Sequence, residues 1–364
     1  MSTPPAPTRL ASLDSYRGLV MLTLLFGSVF HPLKDHPAWN WLYLQNEHVE
    51  WDGCSLWDLI QPAFMFIVGV AMPFAFAGRS ARGDSWGKQL WHVIVRAGGL
   101  ILVGVVLDNF GATTWSFGFI RVLQQIAFGY VMAFFVLGRP LWVQGLAAAV
   151  ILFGYTLFWM FNPWNGPDGP WEMGGENAGK VFDRWILGLW WPGRNYTGNY
   201  VGLNAIPAAA NMIFGVMAGQ WIATAHNPHR TAGLLALAGL AGIVLGFAAS
   251  PFIPLVKRIW TPSFAVFSTG WTTLALAGFY WVIDVLGYKR WTFPLVVVGV
   301  NSIAAYVMTG VFGNWFRSLT GAWLGIASGL LGPIGLPIVS KLLFVAAAWL
   351  VLWWLYRRRI FFKL

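Results

Sequence analysis

Charge is the scarcest property of this sequence. Asp, Glu, Lys and Arg make up 10% of its 364 residues, where a soluble domain carries roughly 25%. A chain so poor in charge cannot cover a water-facing surface, and a large buried enzyme core is excluded because the apolar runs are too long and too many. Cysteine is nearly absent: Cys54 stands alone, which excludes an intramolecular disulfide and a cysteine-based metal cluster, and no metal is expected. Acidic residues are fewer than basic ones, 13 against 23, for a net charge of +10. Nucleic acid is not the expected partner, because these cations cluster at the ends of apolar runs, where they act as orientation signals. Internal repeats and low-complexity tracts are also missing.

Hydrophobic residues make up 57% of the chain and aromatic ones 17%, with 24 Trp. Such rings anchor helix ends at membrane interfaces. Runs of about 20 apolar residues, the length that spans a bilayer, lie near 15–31, 56–77, 90–108, 119–137, 141–161, 203–223, 231–250, 263–284, 293–313 and 338–356. Lipid leaves no partner for irregular backbone, so these runs are expected to be helices. The expected fold is all-α: one polytopic bundle over 1–364, crossing the membrane about ten times. The stretch 316–332, broken by Gly and ending in Gly-Pro, is expected to be interfacial or re-entrant. The start of the chain shows no small-residue cleavage site and is read as leading into a retained first span.

Alternate loops set the orientation. With both termini cytoplasmic, the inner side holds twelve cations, among them Arg79, Arg82, Lys88, Lys289, Arg290 and the Arg357 to Arg359 cluster, and the outer side holds seven. That bias favours termini inside. The two long loops, 32–55 and 162–202, then face outward, and loops of that length often carry function. The expected location is a bacterial inner membrane, with lipid as the surrounding partner.

The densest chemistry is at the end of the first long loop, His48-Val49-Glu50-Trp51-Asp52-Gly53-Cys54-Ser55-Leu56-Trp57-Asp58. An imidazole titrates near neutrality and can serve as a general base or a nucleophile; as a lone loop histidine, His48 could equally be solvated. Asp58 lies one turn into an apolar run, where a carboxylate is costly without a partner or a task. Asp14 and Arg17 lie three apart on one helical face and can pair. Arg96 and Arg121 enter apolar runs and can snorkel to the interface. Asn301 within a span needs a hydrogen-bond partner, from another helix or from a ligand.

Taken together these segments resemble the heparan-alpha-glucosaminide N-acetyltransferase family, transmembrane enzymes that move acetyl from acetyl-CoA to an amino sugar across a membrane. Ser12-Leu13-Asp14-Ser15-Tyr16-Arg17-Gly18 is similar to the family's S-[LV]-D-x-[FY]-R-G opening. The resemblance continues through His48 to Asp58, Ile67 to Val70, Arg121 to Ile126, Ala178 to Gly188, Lys257 to Phe264 and Gly299 to Tyr306. No single motif is specific. Their common order over most of the chain carries the likeness.

The resemblance implies acetyl-CoA as cosubstrate, a sugar or glycan acceptor, and His48 as the active-site histidine on the outer side, with Asp58 or Asp183 orienting the imidazole or binding the acceptor. It admits a homodimer. The expected catalytic residues are His48 and Asp58; the expected substrate or cofactor contacts are Ser28, Trp51, Arg121, Gln124, Asp183, Lys257, Trp260 and Asn301. Ser28 stands where the family's first span has an asparagine, a departure that bears on the acceptor. Two rival readings are a transporter or flippase of an amphipathic solute, with Asp58 lining its path, and an O-acetyltransferase of an envelope glycan.

Overall fold

The computed structural model describes residues 10–111, 122–167, 169–173, 176–190, 202–325 and 328–362. Helices dominate them, and no strand longer than an isolated bridge occurs among the described residues. The expected contact residue Arg121 lies outside this set. Thirteen α-helices follow in chain order: α1 Ala11–Leu25, α2 Asn40–Asn46, α3 Ile60–Ala81, α4 Trp86–Asn109, α5 Val122–Val136, α6 Leu141–Phe161, α7 Ala178–Trp190, α8 Ala205–Ala223, α9 Pro228–Ala249, α10 Pro262–Phe279, α11 Phe293–Gly299, α12 Ser302–Leu324 and α13 Ser328–Arg357.

Seven helical stretches are long and apolar enough to cross a membrane: Trp57–Ala81, Trp86–Asn109, Leu141–Phe161, Gly202–Ala223, Pro228–Ala249, Pro262–Val285 and Gly329–Arg357. An eighth is broken: Arg290–Gly299 and Ser302–Gly313 meet at 63°. The run expected at 15–31 appears as α1, 15 residues and shorter than a full span, and the described part of the run at 119–137 forms α5. The stretch 316–332 is helical on both sides of residues 326–327, belonging to α12 and α13, with a break at Gly332 (φ 63°, ψ −178°).

Local chemistry places several of these boundaries. Ser85 caps α4, Asn227 caps α9 with Pro228 at its first position, and Thr261 caps α10 with Pro262 following. Each side-chain oxygen accepts one of the backbone N–H groups that a helix start leaves without a partner. The N–H of Ser12, in the first turn of α1, donates to Asp284 Oδ2 at 3.1 Å.

Helices α3 and α8 form the centre, with 67% and 72% of their apolar windows buried, whereas α6, α9 and α13 bury only 22%. The outer helices therefore present apolar faces such as Leu102, Phe153, Leu240 and Val244 outward, as lipid requires. The central pair approaches through glycine. A side chain at Gly69 would collide with the Met212 carbonyl, and one at Gly215 with the Phe66 carbonyl. Small residues that let backbones meet are the usual means of helix association in lipid.

Candidate functional site

Two loops meet at one end of α3. The loop from Glu47 to Leu59 is tied to the loop between α9 and α10: Leu255 N–H donates to Asp52 Oδ1 at 2.8 Å, and Gly53 N–H donates to the Leu255 carbonyl at 3.0 Å. Gly53 holds φ 122° there, a conformation open to glycine. The second loop is itself fixed. Thr261 Oγ1 donates to the Pro254 carbonyl (2.7 Å) and accepts from Val256 N–H (3.0 Å). Trp260, fully buried, donates through Nε1 to Asn211 Oδ1 at 2.9 Å.

This clasp brings Lys257 to His48 and Asp58, which lie ten residues apart and some two hundred residues earlier in the sequence. His48 Nδ1 lies 2.7 Å from Asp58 Oδ1, and Lys257 Nζ lies 3.2 Å from His48 Nδ1 and 3.4 Å from Asp58 Oδ1. Asp58 Oδ2 accepts the N–H groups of Val49 (3.1 Å) and Ser55 (3.2 Å), with the Ser55 hydroxyl 3.0 Å away. A carboxylate cannot share a short contact with a nitrogen lone pair, so Nδ1 carries the proton and donates it to Asp58, leaving Nε2 as the basic nitrogen. No hydrogen bond from the described residues reaches Nε2. The imidazole is 47% exposed while the Asp58 side chain is 2% exposed: a buried carboxylate orients an exposed ring.

Burial pushes the Lys257 amine down to about 8, against the pull of Asp58 that favours its charged form. The nearby Cys54 thiol is pushed up to about 12 by burial and by the Asp58 charge, so it stays protonated at neutral pH and is a poor nucleophile. Below the triad, Gln61, one turn after Asp58, donates to Gln125, Gln125 donates to Asn204, and Asn204 Nδ2 donates to the Arg258 carbonyl at 3.3 Å. This buried amide chain escaped the sequence reading, although Gln61 and Gln125 in apolar runs are its visible trace.

The other expected contact residues lie elsewhere. Trp51 Nε1 donates to the Trp171 carbonyl at 2.6 Å, and Asp183 takes Gly202 N–H at 2.9 and 3.1 Å. Gln124 donates to Asp108 Oδ2 at 3.1 Å against Gly104. Asn301, at the bend between α11 and α12, donates to the Ile360 carbonyl (3.0 Å) and accepts Phe362 N–H (3.1 Å). Ser28, just after α1, has φ 60° and lines a cavity beside Trp57.

A separate cavity of about 530 Å³ runs among α1, α3, α4, α5 and the start of α12, a size typical of ligand sites. Arg17, Arg79 and Arg96 line it, with Tyr130, Tyr306 and Phe362; Phe64, Ile67 and Met72 continue its apolar wall along α3. At 1.5 Å per helical residue, Arg79 to Phe64 covers about 22 Å, and Phe64 lies about 9 Å along the chain axis from Asp58. The Arg96 guanidinium lies over the Tyr130 ring at 4.7 Å, and its buried Nε has no hydrogen-bond partner among the described residues. A buried guanidinium donor without an acceptor is costly and is suited to a bound anion. Among the described residues no cluster of His, Cys, Asp and Glu could hold a metal ion.

No family model matches the chain. Among curated proteins it is similar to heparan-alpha-glucosaminide N-acetyltransferase of Mus musculus, 26% identical over 85% of this chain and 54% of that protein, and to that of Homo sapiens, 26% identical over 98% of this chain and 60% of that protein. The chain thus spans less than two thirds of the length of these relatives. The second alignment takes in the His48 loop, the Lys257 loop and the basic cavity alike, and on that breadth the chain is a distant relative of the heparan-alpha-glucosaminide N-acetyltransferases.

Proposed function

We propose that this protein is a membrane acetyltransferase that takes acetyl from cytoplasmic acetyl-CoA and delivers it to an amino sugar or glycan on the other side. The observation that carries the reading is the His48–Asp58 pair at one end of α3, whose other end, through Arg79, lines the basic cavity. A phosphorylated donor cannot cross lipid, and this layout lets it stay on one side while its acyl end reaches the other. Arg17, Arg79 and Arg96 would hold the phosphates, and the apolar wall along α3 would take the pantetheine arm. His48 and the first long loop face outward, the termini and the basic cavity face the cytoplasm, and α1 and α5 complete a count of about ten membrane-crossing segments.

Acetyl transfer then proceeds by general base catalysis. The acceptor amine attacks the thioester carbonyl while Nε2 takes its proton, and the imidazolium so formed is paired with Asp58. The tetrahedral adduct collapses, the C–S bond breaks, and the proton returns from Nε2 to the CoA sulfur. In the carrier variant Nε2 itself attacks, CoA thiolate leaves, and the amine takes acetyl from the imidazole in a second step. The same geometry serves both.

Purified protein in nanodiscs, given acetyl-CoA and glucosamine, should release free CoA in step with acetylated sugar. Release without acetylated product, or neither, would remove the reading in favour of a solute path through the same cavities.

A further inference from the structure

The His48 end of the bundle holds a second cavity, of about 650 Å³, that the reaction above does not use. Gly27, Ser28 and His31 form one wall after α1, and α12 and α13 form the rest. Along α13 the cavity lies beside the break at Gly332, where Pro333 and Pro337 line it. On the facing wall Ser28 is held at φ 60°, a left-handed conformation that is strained for a non-glycine residue and is most often tolerated at functional sites.

The chemistry of the lining is divided. Lys341 lies nine residues past the break at Gly332 in α13, its ammonium 5.2 Å from the centre of the Phe344 ring. A cation on an apolar helix within the membrane is costly, and such residues face cavities or pathways. His31, Ser28 and Ser340 join it on the wall, and among the described residues no carboxylate does. All four can donate hydrogen bonds, which is the donor set of an anion site. The remaining wall is apolar, from Phe316, Leu324, Leu336 and Phe344. A soluble anion would leave that surface uncovered. A phosphate carrying a hydrocarbon chain covers both.

The cavity borders the reaction centre across one indole ring. A methyl group on Gly27 would come within 2.6 Å of Trp57 Cη2, and the Trp57 ring centre is 6.2 Å from that of His48.

We propose that this cavity binds the acceptor, and that the acceptor is an anionic amphiphile: an amino-sugar headgroup joined through a phosphate to an acyl or prenyl chain. The phosphate pairs with Lys341, the chain follows Phe316 and Leu336, and the sugar lies against Trp57. That the ligand is the acceptor rests on the acetyl transfer proposed above; that the site binds an anionic amphiphile does not.

The test uses full-length protein in detergent with a photoactivatable phosphatidic acid as probe. Wild type should capture it at least tenfold more than the matching phosphatidylcholine, with the cross-link mapping to α12 or α13. Lys341→Gln should lower capture about tenfold, Lys341→Arg should restore it, and thermal stabilisation by CoA should persist in both as a check on folding. Capture equal for the two lipids, unchanged in Lys341→Gln, or abolished by inorganic phosphate would overturn the amphiphile site. In nanodiscs, a glucosamine joined by phosphodiester to a dialkyl chain should show a KM at least tenfold below that of free glucosamine; equal values would overturn its role as acceptor. Wild-type capture without CoA stabilisation would remove acetyl transfer, and with it the acceptor assignment, while the lipid site stands. Loss of capture with CoA stabilisation intact would do the reverse.

Discussion

His48 combines an oriented ring with an exposed second nitrogen, and each property comes from a different part of the chain. Asp58 holds Nδ1 at 2.7 Å, and the Asp52 to Val256 clasp carries Lys257 to both. His48→Ala should lower acetyl transfer about a hundredfold or more, the usual scale for losing a general base, while leaving CoA binding near wild type. His48→Asn keeps hydrogen bonding but cannot take a proton and should be nearly as poor. Retention of more than about a tenth of wild-type transfer, a loss under about 1.4 kcal/mol in barrier, would move the chemistry off His48. Lys257 adds a pH dependence. With its amine depressed to about 8, it is charged below that pH and pairs with Asp58, and it becomes neutral above it. Transfer should therefore fall as pH rises through about 8, and Lys257→Arg, whose guanidinium stays charged, should move that fall upward. An unchanged alkaline limb in Lys257→Arg would show that another group titrates there. Of this constellation the sequence displays His48 and Asp58, ten residues apart, as a costly carboxylate beside a loop histidine. Lys257 is 209 residues from His48, and its place was legible only through the family likeness. The distinction between a ligand contact and a buried structural donor, as at Trp260 or Asn301, is not written in residue type, because both need a polar group in an apolar run.

At the scale of elements, apolar run length located the seven to eight described helices long and apolar enough to cross a membrane, because lipid forces the backbone to satisfy itself within each segment. It was weaker at breaks. The bend at Asn301 depends on hydrogen bonds to Ile360 and Phe362, some sixty residues away, and nothing local announces them. Helix α1 is shorter than its apolar run suggested, since it ends before the left-handed turn at Ser28. Contacts between helices rest on small residues more than on apolar area, which hydropathy does not register. Gly215 against the Phe66 carbonyl makes this testable. Gly215→Leu should push α3 and α8 apart and cost about 1–3 kcal/mol or more, the range for overpacking, seen as a lower melting temperature by fluorescence-detected size exclusion. Gly154→Leu on exposed α6, where an added side chain meets nothing within 4 Å, should leave it unchanged. Equal effects at the two positions would refute the view that close backbone approach, and not glycine as such, holds the central pair.

The whole molecule is polar along its long axis: the basic cavity with Arg79 and Arg96 is at one end of α3 and the His48 triad at the other. If the basic end is cytoplasmic, the cation bias of the loops and the supply of a phosphorylated donor agree, since both require that side to be the one where acetyl-CoA is made. Two measurements bear on this together. In a Cys54→Ser background, a cysteine at Asp35 should react with a membrane-impermeant maleimide from outside in intact cells, and one at Arg82 only after the membrane is opened; the opposite pattern would invert the orientation and leave the donor on the wrong side. On purified protein, CoA should raise the melting temperature in proportion to its occupancy of the folded state. Arg79→Gln with Arg96→Gln should weaken that stabilisation at least tenfold in CoA concentration, because each guanidinium–phosphate pair is a charge-assisted contact away from bulk water. S-acetylpantetheine, which shares the thioester arm but lacks the phosphates, should bind weakly and be indifferent to the same substitutions. A double variant that lost CoA and S-acetylpantetheine equally would mean that the arginines shape the helix packing instead of holding phosphate. The nucleotide end would then have to be sought at Lys289 and Arg290, just before α11.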